Sequence, residues 1–287
     1  MDKETLSHYG WIVVLILILS VMLAFATPFG FYIKAGIEST ANGLIYTSNQ
    51  SLSTVVKTDN SNKIPDGATY TTDGNTLTEF PETPQTGDTY EEGGYIYTYN
   101  KGFRYGNEWS VRVKDTSKTS YGEILSEIAG KPVTAMIFTF ENCTNLKTSP
   151  TIPNSVTDMY GAFVNCSSLV NAPTIPNGVT GLYQTFFRCT SLTTAPTIPN
   201  SVTEMTNTFS NCTSLTTAPT IPNSVTEMSG IFDTCTSLTG TIEINADVIY
   251  SYRYCFANTS KSITLTGSST MLSTLAATAT RGNVTVG

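Results

Sequence analysis

A seventeen-residue string, CTSLTTAPTIPNSVTEM, occupies residues 189–205 and recurs without a change at residues 212–228, an offset of 23. The same offset runs outward in both directions. One column reads Cys143, Cys166, Cys189, Cys212 and Cys235, and another, three residues earlier, reads Phe140, Phe163, Phe186, Phe209 and Phe232. Leu146, Leu169, Leu192, Leu215 and Leu238 form a third, and Val133, Val156, Val179, Val202 and Val225 a fourth. A fixed period of about 20–50 residues marks units that stack. A unit this short buries one stripe of side chains and needs a neighbour on each side. The repetition is architectural: the chain builds a solenoid.

Within one unit Val202, Met205, Phe209, Cys212 and Leu215 are spaced 3, 4, 3 and 3. That spacing predicts one face of a helical segment, and the proline-bearing TTAPTIPNS then returns the chain in an extended path. The expected fold class is an α/β solenoid of short helix plus short extended segment. Pro150, Pro173, Pro196 and Pro219 each remove an N–H from the extended side, so strands there should be very short. More regular pairing is expected only at TIEI, residues 241–244, and ITLT, residues 263–266.

The pattern VTxMxxxFxxCxSLxxxPxIPNS, carried by five consecutive units and a degenerate one at YRYCFANTSKSITLTG, resembles the BspA-like leucine-rich repeats of bacterial surface proteins. The resemblance covers about residues 133–244. It implies a leucine-rich-repeat stack, display at the cell surface, and adhesion or ligand binding as the task.

Six cysteines in an exported chain raise the question of disulfides. On helices packed about 8–10 Å apart, successive thiols lie beyond the roughly 4.4–6.8 Å between Cα atoms that a disulfide needs. They read as buried free thiols acting as small hydrophobes. Cys255 falls outside the column, because Thr259 takes the aligned place.

Residues 9–33 carry no charge, and WIVVLILILSVMLAF is almost wholly apolar. About 20 such residues span a bilayer, so residues 1–40 are expected to hold a membrane-spanning helix with the solenoid outside. Two alternatives stay open. Residues 24–26, Ala-Phe-Ala, have the small-x-small form of a signal-peptide cleavage site. The layout of the first forty residues also has a weak similarity to Flp/type IV-like pilins, which implies a filament subunit assembled through that helix.

Residues 41–84 are rich in Thr, Ser and Asn and read as a stalk. Residues 85–119 alternate with a period of two: Tyr95, Tyr97 and Tyr99 point one way against Ile96 and Thr98, and Trp109, Val111 and Val113 share a face against Ser110, Arg112 and Lys114. This predicts a small antiparallel sheet. Its tyrosines are a candidate surface for a sugar or a partner, against the plainer reading of cross-strand packing. Ile124, Leu125 and Ile128 at helical spacing, with Gly130 behind them, predict a capping helix within residues 120–132. The solenoid then fills residues 133–287.

Charged residues are 13% of the chain and the net charge is −7, against about 25% charged in ordinary soluble domains. Between Val156 and Ile244 the one basic residue is Arg188, so the cluster of cations that nucleic acid requires is missing. The single histidine, His8, precedes the apolar segment, which leaves no partner for a serine or cysteine triad in the folded part. No metal-ligand spacing or cofactor motif occurs, and Glu91–Glu92 reads as a solvated turn. The expectation is a non-enzyme without cofactor. Its candidate binding surface is the outward edge of the extended segments: Thr174, Pro196, Thr197, Pro219 and Thr220, with the tyrosines as the other candidate. The expected partners are the membrane, an external protein or glycan, or further copies of the chain in a filament. The column Thr151, Thr174, Thr197, Thr220 also admits a minor reading as a crystal-face binder.

Overall fold

The computed structural model describes residues 62–102 and 106–287. The apolar segment 9–33 lies outside the described residues, and with it the membrane-span, signal-peptide and pilin-like readings. Among the described residues no helix is long and apolar enough to cross a membrane.

The first part is a seven-stranded sheet. It comprises β1 (Thr69–Thr72), β2 (Asn75–Leu77), β3 (Thr89–Glu92), β4 (Tyr95–Gly102), β5 (Gly106–Val113), β6 (Glu127–Ile128) and β7 (Lys131–Ala135). The strands lie in the order β2-β1-β3-β4-β5-β7-β6. Two-residue turns fix two registers: Asp73-Gly74 closes β1 onto β2, and Gly93-Gly94 closes β3 onto β4, all four residues at positive φ. Such turns match the twist of the flanking strands. The alternation buries Tyr70, Tyr90, Tyr95, Tyr97, Trp109 and Val111 on one face. The expected stalk boundary at residue 84 is therefore displaced, since the β1–β2 hairpin belongs to this sheet and packs Tyr70 edge-on against Trp109 at 5.9 Å.

The sheet runs directly into the solenoid. β5 pairs in parallel with β7, which carries Val133 and Ala135 of the first rung. The capping helix expected over residues 120–132 does not form: residues 120–126 are irregular, and β6, a turn at Ala129-Gly130 and the start of β7 follow. An isolated helix of this length is marginal, and the sheet offers its backbone better partners. Tyr95 donates its hydroxyl to the Gly122 carbonyl at 2.7 Å, Leu125 N–H donates to the Tyr97 hydroxyl at 3.1 Å, and Trp109 Nε1–H donates to the Ile128 carbonyl at 3.0 Å. Ile124 and Ile128 are buried beneath this cover.

The rungs are not helical either, and the expected helix layer is corrected here. In the central unit Leu182, Gln184, Phe186 and Arg188 donate their N–H groups to Glu204, Thr206, Thr208 and Ser210 of the next rung, at 2.9–3.0 Å. The alternate amides of Thr185, Phe187 and Cys189 close turns three residues back, at 3.0–3.1 Å. A helix spends every amide internally, whereas this path sends every second one to a neighbour. It needs left-handed residues at two places per rung, four apart: Phe138, Gly161, Gln184, Asn207, Gly230 and Tyr254, then Asn142, Asn165, Arg188, Asn211, Thr234 and Asn258, at φ of 51–62°. Glycine and asparagine fill most of these places because they tolerate φ > 0. Among the described residues the one α-helix, α1 (Leu272–Ala276), lies beyond the rungs and buries Leu275.

Rungs consequently stack at strand spacing. The phenylalanine rings lie 5.1–5.8 Å apart from Phe140 to Phe256, and nearly parallel along Phe163, Phe186, Phe209 and Phe232, at 4–9°. The same stacking keeps the cysteines reduced. All six are free and buried, but helix–helix distance is not the cause. In-register parallel stacking holds successive Cβ atoms at about the rung spacing, beyond the roughly 3.5–4.5 Å that a disulfide requires. Four of the thiols instead donate to a phenylalanine carbonyl 26 residues earlier: Cys166 to Phe140, Cys189 to Phe163 and Cys212 to Phe186 at 3.1 Å, and Cys235 to Phe209 at 3.0 Å. Thr185 and Thr208 make the same kind of bond to Met159 and Leu182 at 2.8 Å, and Cys255 stands in that threonine column, bonded to Met228 at 3.3 Å.

On the proline side the expected short strands reduce to single bridges, Asn171 to Thr194 to Thr217 and Ile221 to Ile244. Regular pairing appears where proline is absent, in the parallel sheet β8 (Gly240–Glu243), β9 (Ile263–Thr266) and β10 (Val284–Val286).

Candidate functional site

The proline-bearing edge repeats Ala-Pro-Thr-Ile-Pro-Asn three times, at residues 172–177 and then in two adjacent copies at 195–200 and 218–223. Ile198 and Ile221 turn inward and are buried, which leaves Thr197 and Thr220 exposed on either side of the path. Between these two copies and the following rungs lies a cleft of ≈ 610 Å³. It is lined by Ala195, Pro196, Thr197 and Asn200 with their counterparts Ala218, Pro219, Thr220 and Asn223, and by Ile198, Pro222, Asn245 and Ser268.

One end of the cleft is already bonded. Thr220 donates its hydroxyl to Glu243 Oε2 at 3.2 Å, and Asn245 donates Nδ2–H to Glu243 Oε1 at 3.0 Å. Asn245 Oδ1 in turn accepts from Ser268 N–H and the Ser268 hydroxyl, both at 3.1 Å. No lining residue is charged; the exposed Glu243 carboxylate accepts from two of them, Thr220 and Asn245. The arrangement presents hydroxyls and amides over a floor of proline rings and alanine methyls, suited to holding a ligand by many weak contacts.

Of the residues expected to bind, the structure brings Pro196, Thr197, Pro219 and Thr220 into this cleft. Thr174 is exposed on the same column but outside the lining. The prolines do not face out as expected: Pro196 is half-buried and Pro219 buried, both along the cleft lining. Asn200 and Asn223 were passed over, although the asparagine that closes each Ile-Pro-Asn was the readable signal.

The tyrosine surface is corrected outright. Tyr95 and Tyr97 are 0% exposed and Tyr99 is 2% exposed, so these rings meet protein and not a ligand. Burial, the dominant cause, holds the Tyr95 and Tyr97 hydroxyls protonated well past the usual phenol range. Tyr95 and Tyr121 lie 6.3 and 5.2 Å from Phe140 and close the end of the phenylalanine column. They are the cap that the helix was expected to be.

Residues 136–230 match the BspA type leucine rich repeat region in six copies. Among solved structures, a leucine rich cell surface protein from Faecalibacterium prausnitzii A2-165 aligns over 66% of this chain and 56% of its own, at 23% identity and a TM-score of 0.44. A leucine-rich repeat protein from Bacteroides ovatus ATCC 8483 aligns over 61% of this chain and 56% of its own, at 20% identity and a TM-score of 0.37. The chain thus spans little more than half the length of either. No curated protein matches it significantly. Residues 136–230 of this chain are a BspA-type leucine-rich repeat region.

Proposed function

We propose that this chain is a surface-displayed binding protein, held to the membrane by its apolar segment 9–33, whose solenoid captures an external ligand without performing chemistry on it. The observation that carries this reading is the uncharged cleft along the repeated Ala-Pro-Thr-Ile-Pro-Asn edge. The resemblance to BspA-like repeats, which implies a surface protein, and the low charge of the solenoid support the same conclusion. A ligand held by many weak neutral contacts gains through multivalent display and responds little to salt.

The test is attachment of cells displaying the full chain to glycan- and matrix-coated surfaces. The comparison is a variant with Thr174→Lys, Thr197→Lys and Thr220→Lys together, matched for surface level. All three threonines are exposed, so the variant should fold and lose attachment. Undiminished attachment removes the binding role from this edge.

A further inference from the structure

Resting on that reading of the cleft, we infer that its ligand is an uncharged polysaccharide, laid across the rungs so that successive sugar units meet successive copies of the same residues. The groups left available in the cleft point to this class. Thr197, Asn200 and Asn223 are exposed, and among the described residues their side chains take part in no hydrogen bond within the protein. A hydroxyl and two primary amides each offer donor and acceptor together. This matches the hydroxyls of a sugar, which also donate and accept.

The floor supplies the other half of the match. The half-buried Ala195, Pro196 and Ala218 present C–H surface between the polar groups, the counterpart of the apolar face of a pyranose ring. Anionic polymers fit poorly, because no lining residue is cationic and Glu243 stands beside Thr220. An extended peptide fits poorly as well. Strand addition needs a row of unpaired backbone groups, and here Ala195 N–H is given to Thr217 and Ile221 N–H to Glu243, while Pro196, Pro199, Pro219 and Pro222 have none to give.

The copies on adjacent rungs are related by the stacking translation, measured by the Phe186 and Phe209 rings at 5.6 Å. A ligand that repeats along its own length meets Thr197 and Asn200, then Thr220 and Asn223, in the same order. Thr220 reaches the second unit with its hydroxyl hydrogen already committed to Glu243, so it serves there as an acceptor.

The experiment is affinity electrophoresis of the detergent-solubilised full chain through native gels containing dextran, mannan, galactomannan or xylan, with polygalacturonate as the acidic comparison. At least one neutral polysaccharide should retard the protein, equally at low and high salt, and polygalacturonate should not. Asn200→Ala with Asn223→Ala should weaken retardation roughly tenfold, two side-chain hydrogen bonds being removed, with the melting temperature unchanged. Absence of retardation by all four neutral polymers overturns the inference, as does retardation that the double variant leaves intact. If cell attachment still depends on Thr174, Thr197 and Thr220 while the polysaccharides are inert, the cleft remains a ligand site and its ligand is not a glycan. If attachment is also indifferent to those threonines, both readings fall.

Discussion

Ser155, Ser201 and Ser224 donate their hydroxyls to the carbonyls of Val133, Val179 and Val202 in the preceding rungs, at 2.7, 2.6 and 2.7 Å. The place between the first two of these serines is Gly178, whose backbone is not left-handed and whose added Cβ would lie 3.6 Å from the Val156 carbonyl oxygen. A serine there completes the column without a clash. Gly178→Ser should raise the unfolding free energy by about 1–2 kcal/mol, from one hydrogen bond and a less flexible unfolded chain. A urea midpoint that moves up at constant slope is the expected reading; an unchanged midpoint denies the ladder its energetic role. Gly161 behaves oppositely. It is left-handed at φ +60°, and a Cβ there runs into the ring of Phe138, so Gly161→Ala should cost about 1–3 kcal/mol. The two glycines thus differ in sign, and the backbone φ together with the space beside each decides which is which.

At the scale of elements, the junction between sheet and solenoid rests on Trp109. Its ring is fully buried, its Nε1–H holds the Ile128 carbonyl, and its backbone pairs with Val133 of the first rung. Trp109→Phe leaves that carbonyl without its donor and opens a small cavity, at a cost of about 2–4 kcal/mol. Amide exchange should speed first at Met136, Phe138 and Phe140, while the central rungs keep their protection; uniform loss would mean that the cap and rungs unfold as one. This element also shows what could be read in advance. The columns of Val, Met, Phe, Cys and Leu were legible because burial follows from repetition whatever the backbone path. The path itself does not follow from the spacing, since 3, 4, 3, 3 is shared by a helix and by a chain of three-residue turns. What separates them is Asn or Gly at two places four apart, as in Asn207 and Asn211, and that signal was present. The cleft was half legible. Exposed threonines follow from the inward isoleucines, but proline rings are directed by the backbone path and not by alternation. For Tyr95 and Tyr97, a period of two marks a face without saying what covers it; residues 121–128 do.

For the whole molecule, each rung meets only its neighbours, so stability is carried by unbroken columns. Phe186 stacks on Phe163 at 5.5 Å and on Phe209 at 5.6 Å, whereas among the described residues Phe256 has a ring partner only in Phe232, at 5.7 Å. Phe186→Ala should therefore cost about 3–5 kcal/mol and Phe256→Ala less. The thiol column adds a dependence on pH. Desolvation pushes the Cys212 and Cys255 thiols from 9.0 up to about 12, and raises Cys189 and Cys235 well above 9.0. Between those values the folded chain keeps protons that the unfolded chain has lost, so stability falls as pH rises. The contribution is complete below about pH 9 and disappears as pH climbs through about 12. Each such thiol steepens the decline by up to about 1.4 kcal/mol per pH unit. Cys189→Ala with Cys212→Ala should lower stability at pH 7 by about 1–2 kcal/mol per site, through lost packing and the lost bonds to Phe163 and Phe186. The same variant should flatten the alkaline slope, because two of the groups that titrate on unfolding are gone. Urea unfolding of the parent and this variant between pH 7 and 11 measures both effects in one series. A parent midpoint that stays level from pH 8 to 10.5, or a variant slope as steep as the parent's, would show that the thiols reach water in the folded chain and that the column is not sealed.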